Sequence, residues 1–179
     1  TAGEMDSFLG FNRNKRSVTT DLKDPAVVAA LLKSSANFDV VVENFRPGTM
    51  AKLGLGYEDF AAVNPGIIFA SSSGWGQEGP YVTRPGQDLL VQAMSGALFL
   101  TGQDGDGPTP CGIGISDEYT AMHLTIGILS ALLHRAQTGV GQRLSVDLFS
   151  CTVAAQQQEL TVHLNHGDVL HRAKENVGH

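Results

Sequence analysis

The sequence is poor in cysteine and in positive charge, and it lacks long apolar runs. Its two cysteines, Cys111 and Cys151, form no CxxC pair and no disulfide framework, so we expect a protein of the reducing cytoplasm. The formal net charge of -6 argues against nucleic acid as a partner. No uncharged apolar run reaches the roughly 18 residues of a membrane span. We therefore expect neither a nucleic-acid partner nor a membrane.

Several signatures of nucleotide binding, hydrolysis and metal binding are not expected either. The chain has no GxxxxGK[ST] phosphate loop and no GxSxG nucleophile elbow, and we predict no dinucleotide-binding fingerprint. His163 and His166 lie one helical turn apart, but no further ligand set accompanies them. We therefore predict no metal site, no P-loop and no α/β-hydrolase.

What is present is the composition of a globular protein. The chain has 179 residues, 42% hydrophobic and 17% charged, which suits a single domain over residues 1–179. Segments with strand and helix signals alternate along it, which predicts an α/β fold with a Rossmann-like parallel sheet and flanking helices. Strands are predicted at 17–22, 38–45 and 142–149, and the segment 66–76 is predicted as a strand that runs into a small-residue loop. Helices are predicted at 24–35, 46–54, 56–66, 84–96, 117–137 and 150–165.

Local signals support these boundaries. Asp24 is a candidate N-cap, and Pro25 would occupy the first position of the helix that follows. The run 38–45 is continuously apolar at its centre, as in a buried parallel strand. Neither end of the chain carries a clear cap or closing element, so we expect a fragment of a longer protein.

The stretch ENFRPGTMAKLG, residues 43–54, has two interpretations. It could be a strand end, a turn and a helix start, in which Asn44 bonds to backbone groups and Arg46 is solvated. It could also be an anion site, because ligands of open α/β sheets lie beyond the carboxyl ends of strands and helix N-termini favour anions. Arg46 and Lys52 would add positive charge for a phosphate.

Asp117 stands where a glycine-containing loop meets the predicted long apolar helix. An acidic residue in a first helical turn commonly serves the helix dipole, with Ser116 here as a candidate N-cap. Alternatively, Asp117 is a nucleophile that forms a covalent acyl intermediate. Gly112 and Gly114 would leave room for a ligand, and a buried helix would hold the carboxylate still.

Four blocks of the sequence, taken together and in order, resemble the family III CoA-transferases. They are residues 11–25, 39–81, 84–96 and 116–135, and the likeness extends from about residue 10 to residue 160. The resemblance implies a larger fold in which two ring-like chains interlock as a homodimer. It also implies family members roughly twice as long as this chain.

By this resemblance, the chain would move CoA from an acyl-CoA to a small free carboxylic acid, with CoA as part of the substrate and no metal. Asp117 would be the nucleophile that carries a covalent aspartyl intermediate. The resemblance further implies a CoA site formed by Thr20, Asp21, Leu22, Lys23, Asn44, Phe45, Arg46, Lys52, Gln87 and Asp88.

Two alternatives accompany this interpretation. The family includes α-methylacyl-CoA racemases, in which a histidine occupies the position of Gln87 and pairs with the aspartate as acid and base. Gln87 has no titratable group, which favours a transferase. A chain shorter than its relatives could also be an inactive CoA-binding fragment.

Overall fold

The computed structural model describes residues 8–168. Three parallel strands form its sheet in the order β1-β2-β3: β1 is Val40–Glu43, β2 is Ile68–Ser73 and β3 is Gln142–Asp147. The central strand β2 is buried along its whole length. Its C-terminal residue Ser73 pairs with Asp147, so both strands end at the same edge.

Helices connect and flank these strands. They are α1 (Pro25–Ser34), α2 (Thr49–Lys52), α3 (Tyr57–Val63), α4 (Asp88–Ser95), α5 (Ala97–Leu100), α6 (Ile115–Thr138), α7 (Leu148–Ala155) and α8 (Gln157–His166), with a 3₁₀ turn at Ser35–Asn37. The connection from β1 to β2 contains α2 and α3, and the one from β2 to β3 contains α4 to α6. The predicted α/β class with a parallel sheet and flanking helices is confirmed.

Capping side chains explain where two of the helices begin. Asp24 accepts a hydrogen bond from Ala26 N at 2.8 Å and Pro25 occupies the first turn of α1, as predicted. Asp147 does the same for α7 by accepting from Ser150 N at 2.7 Å. Because β3 ends at Asp147, one residue both closes the strand and starts the next helix.

The apolar core lies between β2 and the helices of the first crossover. Leu55, Phe60, Ile67 and Phe69 are buried against one another, and Phe60 and Phe69 meet with ring centroids 5.9 Å apart. Far from the carboxyl edge, Arg135 of α6 donates to Gly66 O at 3.1 Å. This contact anchors the C-terminal end of α6 beside the start of β2, so that its N-terminal end lies toward the opposite edge.

Three expectations about elements are wrong. Residues 17–21 form no strand, and Val18 is 78% exposed there, because strand propensity acts only where a pleated surface is half-buried. The strand expected to be buried, β1, leaves Val42 57% exposed, since it is the edge of the described sheet. The single helix predicted at 150–165 breaks at Gln156 into α7 and α8.

The long helix α6 is also less buried than its apolar sequence predicts. Met122, Ile126, Leu129 and Leu133 follow one another at helical spacing, and each is more than half exposed. Only Ser116, Thr120 and Ala131 of this helix are buried. Ser116 and Thr120 lie in the first turns of the helix, so its buried part is concentrated near its start, whereas the exposed apolar residues lie further along it. Residues 1–7 and 169–179 of the predicted domain lie outside the described residues.

Candidate functional site

A cleft of about 700 Å³ opens at the carboxyl edge of the sheet. Three segments far apart in sequence line it: residues 42–47 after β1, residues 72–75 at the end of β2, and residues 84–88 leading into α4. The first turns of α6 close the cleft with Asp117, Thr120, Ala121 and Leu124. This is the edge at which ligands of open α/β sheets bind.

Two glycines let the second and third of these segments touch. A Cβ on Gly74 would lie 2.5 Å from the Cα of Gly86, so the two backbones pass closer than any side chain permits. Trp75 Nε1 donates to Pro85 O at 3.1 Å beside this crossing. The crossing brings Gln87 and Asp88 to the end of β2 and hence into the cleft.

Asp117 lies in the first turn of α6, where its side chain is exposed to the cleft. Partial burial, and then the negative charges of Asp88 and Glu118, raise the pKa of Asp117 above its ordinary value. The positive end of α6 favours the ionised form, but it does not outweigh these effects. A more basic carboxylate is, in its ionised form, a stronger nucleophile toward a carbonyl.

The N-cap position of α6 is Gly114, not Ser116 as expected. A glycine offers no capping oxygen, and the oxygen comes instead from α4. Asp88 Oδ1 accepts hydrogen bonds from Ser116 N at 2.7 Å and from Asp117 N at 3.1 Å. A carboxylate distant in sequence thus satisfies the free N–H groups at the start of the helix.

The motif after β1 shows the backbone contact that its structural interpretation predicted, and its anion-binding role stays a prediction. Asn44 Nδ2 donates to Ser72 O at 3.0 Å, so this side chain fastens the end of β1 to β2. Phe45 and Arg46 are exposed and line the cleft, where Arg46 faces the same space as Asp117 and Gln87. The structure therefore brings together Asn44, Phe45, Arg46, Gln87, Asp88 and Asp117.

Three more of the predicted residues line a second cleft of about 420 Å³. Leu22, Lys23 and Lys52 line it together with apolar side chains of α1. The two clefts lie at opposite ends of the short helix α2, since Pro47 borders the first and Lys52 the second. Thr20 and Asp21 line neither cleft, although Asp21 shapes the adjacent turn by accepting from Lys23 N at 2.9 Å.

Comparison with known proteins decides the family. The sequence model of CoA-transferase family III matches residues 2–178. The chain belongs to this family. It is 42% identical over 160 residues to the acetyl-CoA:oxalate CoA-transferase of Acetobacter aceti, a match that covers 88% of this chain and 41% of that protein. It is 39% identical over 155 residues to the succinyl-CoA:glutarate CoA-transferase of Mus musculus, covering 87% and 36%.

Solved structures agree with the sequence comparison. A crystal structure of a CaiB/BaiF family protein from Brucella suis superposes with a TM-score of 0.86 at 37% identity, covering 90% of this chain and 43% of that one. The family III chain described here therefore spans about two fifths of the length of the relatives it matches.

Two features near the cleft were not predicted from the sequence. Gln92 is buried in α4 and bonds to Asp88 and to the backbone of Cys111. Its position four residues after Asp88, on the same helical face, was the available signal. A GxGxxG string, which the sequence was not expected to contain, occurs at 74–79 after β2. Turns rather than a helix follow it, so it lacks the context of a dinucleotide fingerprint.

Other reactive groups near the cleft are less suited than Asp117 to act as nucleophile. Burial raises the pKa of the Cys151 thiol, which lies close to Thr120, and the thiolate is the reactive form of cysteine.

Among residues 8–168, no group of three or more histidine, cysteine, aspartate or glutamate side chains is arranged to hold a metal ion. Over the same residues, no helix is long and apolar enough to cross a membrane.

Proposed function

We propose that this family III chain takes part in moving CoA from an acyl-CoA to a free carboxylic acid, with Asp117 as the covalent nucleophile. The observation that carries this proposal is the position of the Asp117 carboxylate. It faces a cleft at the carboxyl edge of the sheet, with Arg46 and Gln87 on the other walls. Relatives named for CoA transfer to oxalate and to glutarate support the reaction class.

The first half of the reaction follows from the chemistry of a carboxylate. An oxygen of Asp117 attacks the thioester carbonyl, the C–S bond breaks, and CoA leaves as a thiolate, which gives a mixed anhydride. The thiolate then attacks the aspartyl carbonyl. The donor acid leaves as a carboxylate, and an aspartyl-CoA thioester remains on Asp117.

The second half reverses these steps with the acceptor acid. Its carboxylate attacks the aspartyl carbonyl and expels the thiolate, forming a new anhydride. The thiolate then attacks the acceptor's carbonyl, which releases the new acyl-CoA and restores the Asp117 carboxylate. No proton is consumed, and the energy of the thioester is conserved. N–H groups near the cleft would stabilise the oxyanions that form at each step.

The two clefts suggest how an acyl-CoA would bind. The second cleft would take the phosphate-bearing nucleotide end, where Lys23 and Lys52 supply positive charge beside Leu22. Thr20 and Asp21 would border that end. The pantetheine arm would pass Asn44, Phe45 and Arg46 to reach the thioester position near Gln87, Asp88 and Asp117. No metal enters these steps.

The assembly and its setting are part of the same proposal. We propose a cytoplasmic homodimer that acts on an acyl-CoA and a small carboxylic acid, interlocked in the manner that the family resemblance implies. The chain covers under half of the length of these relatives, so we propose the activity for the whole protein rather than for this chain alone.

A trapping experiment tests the proposed function. The full-length protein is incubated with a panel of acyl-CoAs, and hydroxylamine is added to convert an activated aspartyl group into a stable hydroxamate. Mass spectrometry should place the label on Asp117, and Asp117→Ala should remove it, whereas Glu118→Gln should retain it. Unlabelled Asp117 together with α-proton exchange on a 2-methylacyl-CoA would indicate a racemase. CoA binding without either reaction would indicate a binding fragment.

A further inference from the structure

A chain of four hydrogen bonds runs from the nucleophile into α4 and back to the loop before α6. Asp88 Oδ1 accepts from the N–H groups of Ser116 and Asp117, at 2.7 Å and 3.1 Å. Asp88 Oδ2 accepts from Gln92 Nε2 at 2.5 Å. Gln92 Oε1 accepts from Cys111 N at 3.0 Å. Two side chains on one face of α4 therefore bond to the backbone both before α6, at Cys111, and in its first turn, at Ser116 and Asp117.

In each of these four hydrogen bonds, donor and acceptor are fixed by the groups involved. Backbone N–H groups can only donate, so Asp88 Oδ1 and Gln92 Oε1 must both accept. The amide nitrogen of Gln92 must then point to Asp88, which receives three hydrogen bonds and needs no proton of its own. Because Gln92 is 1% exposed, water does not replace a lost partner cheaply.

We propose that Asp88 is a positioning residue for Asp117, and that Gln92 holds Asp88 in place. This inference rests on the proposed function, because it concerns how the nucleophile is aimed. Asp88 acts through the backbone of the first turn of α6 rather than by binding the acyl-CoA. Ser116 is buried in that turn, and its backbone N–H and that of Asp117 both donate to Asp88, so these hydrogen bonds from α4 help to fix the orientation of the turn.

The fixed bond directions make a rescue experiment possible. In Asp88→Asn, the oxygen can still cap α6, but the new amide nitrogen then faces the amide nitrogen of Gln92, and two donors oppose each other. In Gln92→Glu, a new carboxylate faces the carboxylate of Asp88, so two acceptors oppose each other. The double variant Asp88→Asn/Gln92→Glu restores all four donor–acceptor pairs and moves the negative charge from position 88 to position 92, one helical turn along α4.

The expected result concerns the trapping rate at saturating acyl-CoA in the full-length protein. Each single variant should lower that rate by about 10- to 100-fold, the range that a small misplacement of a reacting group costs. The double variant should recover most of it. The KM for acyl-CoA should change little in all three. Glu118→Gln is the matched control, since it removes a charge beside Asp117 without touching the cap.

Two further readouts separate positioning from general damage to the fold. Amide hydrogen exchange at Cys111 and Ser116 should accelerate in both single variants and return to the wild-type rate in the double variant. The double variant should also react at lower pH than the wild type, because the charge of Asp88 raises the pKa of Asp117. Glu118→Gln should shift the pH profile in the same direction, because the charge of Glu118 also raises the pKa of Asp117, so the recovery of exchange protection in the double variant is the readout specific to positioning.

The outcomes distinguish this inference from the proposed function. A wild-type protein that is never trapped on Asp117 contradicts the proposed function, and the inference falls with it. If the wild type is trapped but Asp88→Asn reacts at the same rate, only the positioning role is wrong. An unchanged saturated rate with a raised KM would also overturn it, because Asp88 would then be a binding residue.

Discussion

At the scale of single residues, Asp117 stands in an environment that raises its pKa, and this has a cost for stability. Burial and the charges of Asp88 and Glu118 disfavour its ionised form in the folded protein. Asp88 offsets part of this cost by accepting hydrogen bonds from the N–H groups of Ser116 and Asp117. The arrangement fits a carboxylate that is kept reactive.

Replacement of this carboxylate should stabilise the protein in a pH-dependent way. The raised pKa means that folding loses stability as the pH rises from the ordinary value of 3.8 through the raised one. Asp117→Asn should therefore raise the free energy of unfolding at neutral pH, by less than about 1 kcal/mol because solvent screens this exposed group. The gain should vanish below the ordinary aspartate pKa. Denaturant unfolding at both pH values checks this, and a gain of equal size at both would contradict it.

The lysines of the second cleft should contribute to CoA binding. Lys23→Ala and Lys52→Ala each remove one exposed charge beside the proposed nucleotide position, which should weaken binding by roughly 0.5–1 kcal/mol, or about 2- to 5-fold. Lys33→Ala removes an exposed lysine of α1 that lines neither cleft and should have no effect. Calorimetric titration with CoA at low salt measures all three, and equal losses in all three variants would contradict the placement.

Residue types predicted part of the site but not its supports. Arg46 and Asp117 are candidates from their residue types and Gln87 from the family resemblance, and all three line one cleft. Asn44 bonds to Ser72 O, as its structural interpretation required. Gln92 was missed because its role depends on a loop nineteen residues away, and a single-residue pattern carries no information about such a contact.

At the scale of elements, the crossing of the 72–75 and 84–88 segments determines whether the cleft forms. Gly86→Ala should be strongly unfavourable, because its new Cβ would collide with the backbone of Gly74. Overpacking of this kind costs about 1–3 kcal/mol. Gly107→Ala is the matched control, since its Cβ would meet no atom within 4 Å. The unfolding temperature and the rate at which hydroxylamine traps Asp117 should both fall in Gly86→Ala and stay unchanged in Gly107→Ala. Equal values for the two variants would contradict the role of the crossing.

Sequence signals predicted the start of a helix correctly where its capping residue is adjacent in the sequence. Helix α1 begins as expected because its cap, Asp24, lies in the adjacent sequence. The start of α6 was assigned to Ser116 instead of Gly114 because its capping oxygen comes from Asp88 on another helix. The segment 17–22 has β-branched residues but no strand to pair with in the described sheet, so propensity alone gave the wrong element.

At the scale of the whole molecule, the alternation of strands and helices was enough to predict the parallel sheet. It was not enough to predict which surfaces the chain leaves exposed. The apolar stripe of α6 reads as a core helix, yet Ile126 and Leu133 are 60% and 64% exposed in this chain. A single domain over 1–179 and a homodimer stay predictions.

The most direct measurement follows one oxygen atom through the full-length protein. In the proposed reaction, the bridging oxygen of each anhydride stays with the group that thiolate displacement releases. An acceptor acid whose carboxylate carries oxygen-18 should therefore leave one labelled oxygen on Asp117 after a single turnover. Mass spectrometry of the peptide containing Asp117 should detect this label when acyl-CoA is present and not when it is omitted. Turnover to the new acyl-CoA with no label on Asp117 would contradict the covalent aspartyl route.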